Sequence, residues 1–399
     1  MNYRPKITPK LAKEEVVAKK TNKHWLMRFI AWLHLWPSIV SGLILVFVCL
    51  TGTIIVYGDE IMDWSAGDAK YVENVGPQKI TDKQLHQVIQ AYNKNMSLSD
   101  LVFFKDPERS VRARAFDTVH RYLCHLYIDQ YQGKVLKEDK TIFFFFVTAH
   151  IHASFLAGKI GGWVVAISTV IFLISSITGL VLWWPKRWTK KTREASFTIK
   201  WKAKFKRFNY DLHNVYGFYS LILCVILSAT GLLIFFEPLG DGLVKVVGGS
   251  DKHVAQAMPK AVKDKSTVDM VQTAYSLFDH EGKDKESVSI WAMRQEKSGA
   301  YVYSLGNSGL KSSANLEVVA VDKYTGKRLP IQKADLIHDK TENMVWQLHM
   351  GQWWGQLGKL STFLAGIIAT SLPITGFLIW WGRRNKKPKK RSQVTLKTA

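Results

Sequence analysis

The chain has 399 residues, 47% hydrophobic and 22% charged, and carries 55 Lys and Arg against 32 Asp and Glu for a formal net charge of +23. The length permits two or three compact domains, and three cysteines with neither a CxxC nor a CxxCH spacing leave a disulfide framework, a zinc knuckle and covalent haem attachment unsupported. A basic balance can signal nucleic acid, but residues 1–28, 186–207 and 383–399 carry net charges of +6, +9 and +8, which is the whole excess, so a nucleic-acid partner is set aside.

Residues 1–28 lack an apolar core and are read as a basic cytoplasmic N-terminus, not a signal peptide. The run that follows, 29–57, is expected to remain as an uncleaved first helix. No charged residue lies between Arg28 and Asp59, Lys159 and Lys186, Asp211 and Glu237, or Lys359 and Arg383. Each gap holds the roughly 20 apolar residues that a membrane helix needs. Four transmembrane helices are therefore predicted at 29–57, 146–185, 208–237 and 346–382, the second and fourth with outer extensions. By the positive-inside rule the N-terminus, the 186–207 loop and the 383–399 tail are cytoplasmic, where they also meet anionic lipid. Segments 58–145 and 238–345 then face outward.

The two halves repeat. His34 stands six residues after Arg28 and His213 six after Arg207, and each is followed 18 residues later by a glycine, Gly52 or Gly231. His152 and His349 each precede a glycine, Gly179 or Gly376, by 27 residues, and Trp183/Trp184 match Trp380/Trp381 at the inner boundary. The outer segments repeat as well: a helix-like run, ITDKQLHQVIQAYNK or STVDMVQTAYSLF, is followed by LYIDQYQGKVL or VAVDKYTGKRL. In the latter, alternation into a D-x-Y-x-G-K turn reads as a hairpin, with Asp129, Gly133, Asp322 and Gly326 as turn residues. The predicted fold class is an α-helical integral membrane protein, four transmembrane helices as two tandem two-helix repeats, with two extracytoplasmic α+β modules.

The H-x17-G helices, the D-x-Y-x-G-K ends of the outer modules and the ITG-x3-WW helices resemble the PepSY-associated transmembrane family, over residues from about 25 to 385. That family includes bacterial iron-regulated inner-membrane proteins and ferric-siderophore reductases. The resemblance implies PepSY-like outer modules and a bacterial inner membrane. As an acceptor it implies a ferric siderophore or other chelated iron, reduced from Fe(III) to Fe(II) outside the cytoplasm.

Ionisable side chains are rare in a bilayer and usually mark function. Repeat symmetry sets His34 opposite His213 toward the inner side, and His152 opposite His349 toward the outer side. Two inward imidazoles at one level of a helix bundle are suited to hold the iron of non-covalent haem b, two per chain, with these four histidines as cofactor and metal ligands. A single histidine near a membrane boundary reads first as bonding a carbonyl or water; four in two symmetric pairs favour ligation. His150 competes with His152, but the two face about 200° apart on a helix, and the second copy has Gln347 at the position of His150. From His152 to Lys186, and from His349 to Arg383, 34 residues of continuous helix would span roughly 51 Å against a hydrocarbon core of about 30 Å. A break or tilt is expected near Gly158, Gly161 and Gly162, and near Gly355 and Gly358.

The Thr-Gly pairs at 51/52, 178/179, 230/231 and 375/376 read as close-packing positions between helices, equally able to make room for a porphyrin. His86, His120, His125, His253, His280 and His338 do not recur symmetrically and are assigned no role beyond a weak chance of metal or substrate contact. Glu60 and Glu237 read as boundary markers. There is no GxGxxG after a strand, Walker A loop, HExxH or G-x-S-x-G elbow. Electrons must therefore come from a separate donor, membrane quinol or a cytoplasmic reductase. The leading expectation is a transmembrane electron conduit acting as a ferric-chelate reductase. The alternative is a non-redox, membrane-anchored binding or regulatory protein, and permeation of iron through the bundle finds less support.

Overall fold

The computed structural model describes residues 9–280, 284–291 and 297–384. The basic ends read at 1–28 and 383–399 thus lie partly outside the described residues. In chain order, α1 (Pro9–Ile55) and the short α2 (Gly58–Ala66) lead to α3 (Asp82–Tyr92), β1 (Met96–Phe104), β2 (Val111–Asp117), β3 (Tyr122–Asp129) and β4 (Lys134–Asp139). Then come α4 (Thr141–Ser154), α5 (Gly158–Trp183), α6 (Lys190–Phe197), α7 (Phe205–Asp211), α8 (Gly217–Phe235), α9 (Glu237–Val246) and α10 (Val254–Ala257). The chain continues through α11 (Met270–His280), β5 (Ser287–Ile290), β6 (Ala300–Ser308), β7 (Ser313–Asp322), β8 (Arg328–Leu329), α12 (Lys333–His349) and α13 (Gly355–Arg384).

Among the described residues, four spans are long and apolar enough to cross a membrane: Trp25–Ile55, Gly158–Trp183, Phe205–Phe235 and Gln352–Arg384. Much of their apolar surface is exposed, Val40 at 78% and Ile222 at 74% for example, as expected where lipid rather than protein covers it. Inward faces carry small residues: a Cβ on Gly366 of α13 would meet the Thr53 hydroxyl of α1 at 2.2 Å, the close backbone approach that small residues permit. Trp183 stacks on Phe218 with ring centres 4.0 Å apart, part of an aromatic belt at the basic end of the bundle.

At the other end lies one antiparallel sheet of eight strands among the described residues, in the order β4-β3-β2-β1-β5-β6-β7-β8. The two outer segments do not stand apart: β1 pairs with β5, from Leu101 with Ile290 to Phe104 with Ser287. Leu101, Val102 and Phe103 are all at most 4% exposed. An edge strand so apolar on both faces has to be paired, and β5 supplies the partner. Helices α3 and α11 cover one face, where Leu85, Ile89, Leu277 and Phe278 join Leu101, Phe103, Leu126, Val288 and Tyr303 in the main core. Thr81 opens α3 with a capping box closed by Gln84. The D-x-Y-x-G-K turns are built alike: Asp129 Oδ1 accepts from the amides of Tyr131 and Gln132, Asp322 Oδ1 from those of Tyr324 and Thr325, and Gly133 and Gly326 have φ of +62° and +69°.

A smaller cluster of Ile55, Met62, Ile142, Phe145 and Met350 joins the sheet to the bundle. Glu60, read as a boundary marker, holds Lys359 with Nζ at 2.7 and 2.8 Å from its carboxylate oxygens, and Gln356 donates to it at 2.7 Å, which ties α2 to α13. Both helical extensions break where the glycines lie. Phe155, Leu156 and Gly158 have φ of +51°, +61° and +56° between α4 and α5, and Gly351 and Gly355 have +72° and +55° between α12 and α13. The chain folds back so tightly there that a Cβ on Gly161 would lie 1.8 Å from the Ser154 carbonyl oxygen.

Candidate cofactor site

Both helices that carry the histidines of the basic end are distorted beside them. In α1, Pro37 follows His34 by three residues and removes one backbone donor from the helix ladder. Between α7 and α8, Leu212–Tyr216 forms a π-helical turn that contains His213; such bulges re-aim a side chain without ending the helix. The two imidazoles face one another with ring centres 6.3 Å apart and planes at 80°. At the sheet end, His152 in the last turn of α4 and His349 at the end of α12 have ring centres 6.1 Å apart and planes at 55°. His150 points elsewhere: it is exposed, its Nδ1 bonds the Phe146 carbonyl at 2.8 Å, and its ring lies on Phe146.

Each of the four rings is seated on a Thr-Gly pair of the neighbouring helix in its own half of the chain. His34 Nδ1 lies 3.0 Å from the Ser175 carbonyl and 3.3 Å from Thr178 Oγ1 of α5. His152 Nδ1 lies 2.8 Å from the Val48 carbonyl and 3.4 Å from Thr51 Oγ1 of α1. His213 bonds Thr375 Oγ1 at 2.9 Å, and His349 bonds Thr230 Oγ1 at 3.0 Å. The glycine that follows each threonine lies under the ring. A Cβ on Gly52, Gly179, Gly231 or Gly376 would meet the histidine Cε1 at 2.8, 3.1, 3.2 or 3.2 Å. Sequence reading took these pairs for helix-packing positions; what it missed is that each glycine faces an imidazole.

The seats fix the protonation of the rings. Each threonine hydroxyl donates to the carbonyl four residues back, Thr51 to Phe47, Thr178 to Ile174, Thr230 to Ile226 and Thr375 to Ser371, at 2.7 to 2.9 Å. Its oxygen is left to accept, and a carbonyl can only accept. Nδ1 must therefore carry the proton and Nε2 the lone pair. Among the described residues no hydrogen bond reaches Nε2 of any of the four. Two neighbouring imidazoles, each with a proton on Nδ1 and a lone pair on Nε2, are a donor set suited to a cation.

The spacing fits such a cation. Metal–imidazole bonds of about 2 Å on both sides, plus about 1 Å from each nitrogen to its ring centre, place two ring centres about 6 Å apart, as found here. Nδ1 held by an oxygen is also the usual outer-shell support of a metal-bound histidine. The two pairs lie at different depths: Gly52, which seats His152, follows His34 by 18 residues, or about 27 Å of α1.

Of the remaining histidines, His125 is buried on β3 and faces Arg112 and Arg114 of β2. Burial, then those two cations, hold its imidazole well below the usual value. Lys311 lies 5.4 Å from the Trp346 ring centre, and burial with nearby Arg114 pushes its pKa down. Trp346 in turn lies 6.5 Å from His349, centre to centre, so a cationic group stands one aromatic ring away from the sheet-end pair. His86 and His120 bond Asp82 and Asp117 near the surface. His253 and His338 come together, with ring centres 4.2 Å apart.

No curated protein matches the chain. A family model described as the PepSY-associated TM region matches residues 31–383, which takes in all four apolar spans and the sheet. The chain therefore belongs to the PepSY-associated transmembrane family, and is a multi-pass membrane protein.

Proposed function

We propose that the protein is a haem-containing reductase of a bacterial inner membrane, which passes electrons through its bundle to an acceptor outside the cytoplasm. The observation that carries the reading is the pair of neighbouring imidazoles at each end of the bundle, 6.3 and 6.1 Å between ring centres, all four with Nδ1 bonded. Haem b held there, two per chain, would supply one-electron carriers that alternate between Fe(III) and Fe(II). The excess positive charge of 1–28, 186–207 and 383–399 supports an orientation with both termini in the cytoplasm and the sheet outside. In this orientation His34 and His213 serve the cytoplasmic side, where quinol or a cytoplasmic reductase is the donor, and His152 and His349 serve the outer side. The chain is then two tandem two-helix repeats, each with a PepSY-like module, and the two modules share one sheet.

The acceptor best suited to the outer end is a ferric siderophore or other chelated iron. Hard oxygen chelators hold Fe(III) far better than Fe(II), so one electron per iron releases the metal. Lys311, exposed and with Trp346 between it and His349, offers positive charge to such a chelate, many of which are anionic. The second reading, a membrane-anchored binding or regulatory protein, is favoured by the broad outer sheet, but leaves the four identically seated histidines without a purpose.

The visible spectrum of the detergent-purified protein, oxidised and dithionite-reduced, tests the proposal. About two low-spin b-type haems per chain are expected, with one lost in His34→Ala or His213→Ala and the other in His152→Ala or His349→Ala. A protein made with ample haem yet colourless turns the reading to the binding protein. Reduced protein in vesicles that leaves an external ferric chelate oxidised overturns the reductase.

A further inference from the structure

Away from both histidine pairs, at the sheet end, α12 carries His338 and Glu342 one turn apart, and the residue before α10 brings His253 beside them. One ligand-type atom from each of the three lies within 4.8 Å of the others, and His253 Nδ1 is 3.6 Å from Glu342 Oε2. His338 is buried and its Nδ1 is bonded to the Ser250 carbonyl at 2.9 Å. His253 Nδ1 lies 2.7 Å from Asp339 Oδ1. Ser250 is itself held, its hydroxyl donating to the buried Asp335 at 2.6 Å. Each imidazole thus has an oxygen against Nδ1, the support that orients histidines bound to metal.

The scaffold does not require this cluster. The register that aligns His152 with His349 also aligns Thr141, Ile142 and Phe145 with His338, Asp339 and Glu342. In the first half, Ile142 and Phe145 are core residues, 2% and 1% exposed. Two of these helical positions are filled by apolar packing and one by a threonine in the first half, and by two potential ligands and a supporting carboxylate in the other.

We propose that His253, His338 and Glu342 bind a divalent first-row transition-metal ion, one atom from each residue. Two imidazoles and one carboxylate suit Zn2+ or Fe2+ rather than Mg2+ or Ca2+, which prefer oxygen alone. Three protein ligands leave a further position for water or a small ligand. Tetrahedral sites with bonds of about 2.1 Å keep ligand atoms about 3.4 Å apart, and the exposed Glu342 carboxylate is the group free to adjust on binding. The ion would pin the segment after α9 to α12, eleven residues before His349. The site stands whether or not haem is bound.

The test uses the full-length, untagged protein in detergent, stripped with a chelator, titrated with Zn2+ and desalted, with the metal counted per chain and Mg2+ as comparison. One Zn2+ per chain and no retained Mg2+ are expected. His338→Ala and Glu342→Gln should each weaken Zn2+ binding by about tenfold or more, the loss that even outer-shell changes produce. Because Glu342 is exposed, its variant keeps the fold, and loss of the ion there is loss of a ligand. Wild-type protein that retains no Zn2+, or unchanged affinity in either variant, overturns the proposal.

Discussion

His152 of α4 and Gly52 of α1 touch so closely that a Cβ on the glycine would lie 2.8 Å from the imidazole Cε1. A methyl group there displaces the ring rather than the helix, because the ring is the movable partner. Alanine in a helix interior is otherwise favoured over glycine by about 1 kcal/mol, so Gly52→Ala should leave the bundle intact. On the proposed reading it loses the haem held by His152 with His349 and keeps the one held by His34 with His213. Haem counted per chain checks this. Gly242→Ala, where nothing lies within 4 Å, should change nothing.

Thr375 accepts from His213 Nδ1 at 2.9 Å while donating to Ser371. Thr375→Val removes that acceptor and keeps the shape of the side chain. Two haems should remain. A bond to Nδ1–H makes the imidazole a stronger donor to iron and so favours Fe(III). Its loss should raise the midpoint potential of the His34/His213 centre, by about 40 mV for a hydrogen bond of about 1 kcal/mol. Redox titration followed at the reduced band reads the shift, and a fall in potential would contradict the assigned tautomer.

How far the sequence foretold this structure depends on the range of the interaction. Membrane spans are local: Arg28 to Asp59 without a charge is enough to place one. That His34 neighbours His213 was foreseen from register, because each stands six residues after an arginine and 18 before a glycine. The seats were illegible because a Thr-Gly pair has the same spacing whether it meets a backbone or a ring; only the crossing of α1 over α4 decides that Gly52 meets His152. The pairing of β1 with β5 joins residues far apart in the chain, Phe103 with Val288, and no turn between them announces it. His253 and His338 were passed over because symmetry served as the filter, and the first half has Thr141 where the second has His338.

The seam through the sheet gives a third prediction. Val288 is fully buried on β5 and pairs with Phe103 of β1. Val288→Pro removes a backbone donor and fixes φ in a strand paired on both sides, where proline is not tolerated. Amide hydrogen exchange should then quicken in β1 and β5 while the spans, held by their own helical bonds, stay protected. Unchanged protection across β1 and β5 would mean that the two halves of the sheet are stable without their seam.

His125 makes the sheet sensitive to acid. It is 6% exposed on β3, and burial followed by Arg112 and Arg114 keeps its folded pKa well below the ordinary value. In the unfolded chain the ring takes up a proton near pH 6.5; in the folded protein it does not. The unfolded state therefore binds more protons below that pH, and stability falls as the pH drops, by at most about 1.4 kcal/mol per unit until the folded pKa is reached. His86 works the other way. Its bond to Asp82 raises it to about 8, so its contribution is present below pH 6.5 and fades as the pH rises through 8, but its side chain is half exposed and its effect is screened. Melting temperatures of the sheet measured from pH 7.5 to 5 should decline in the wild type and flatten in His125→Phe, which fills the same space without a titrating group. A decline of equal slope in both would place the acid sensitivity elsewhere in the molecule.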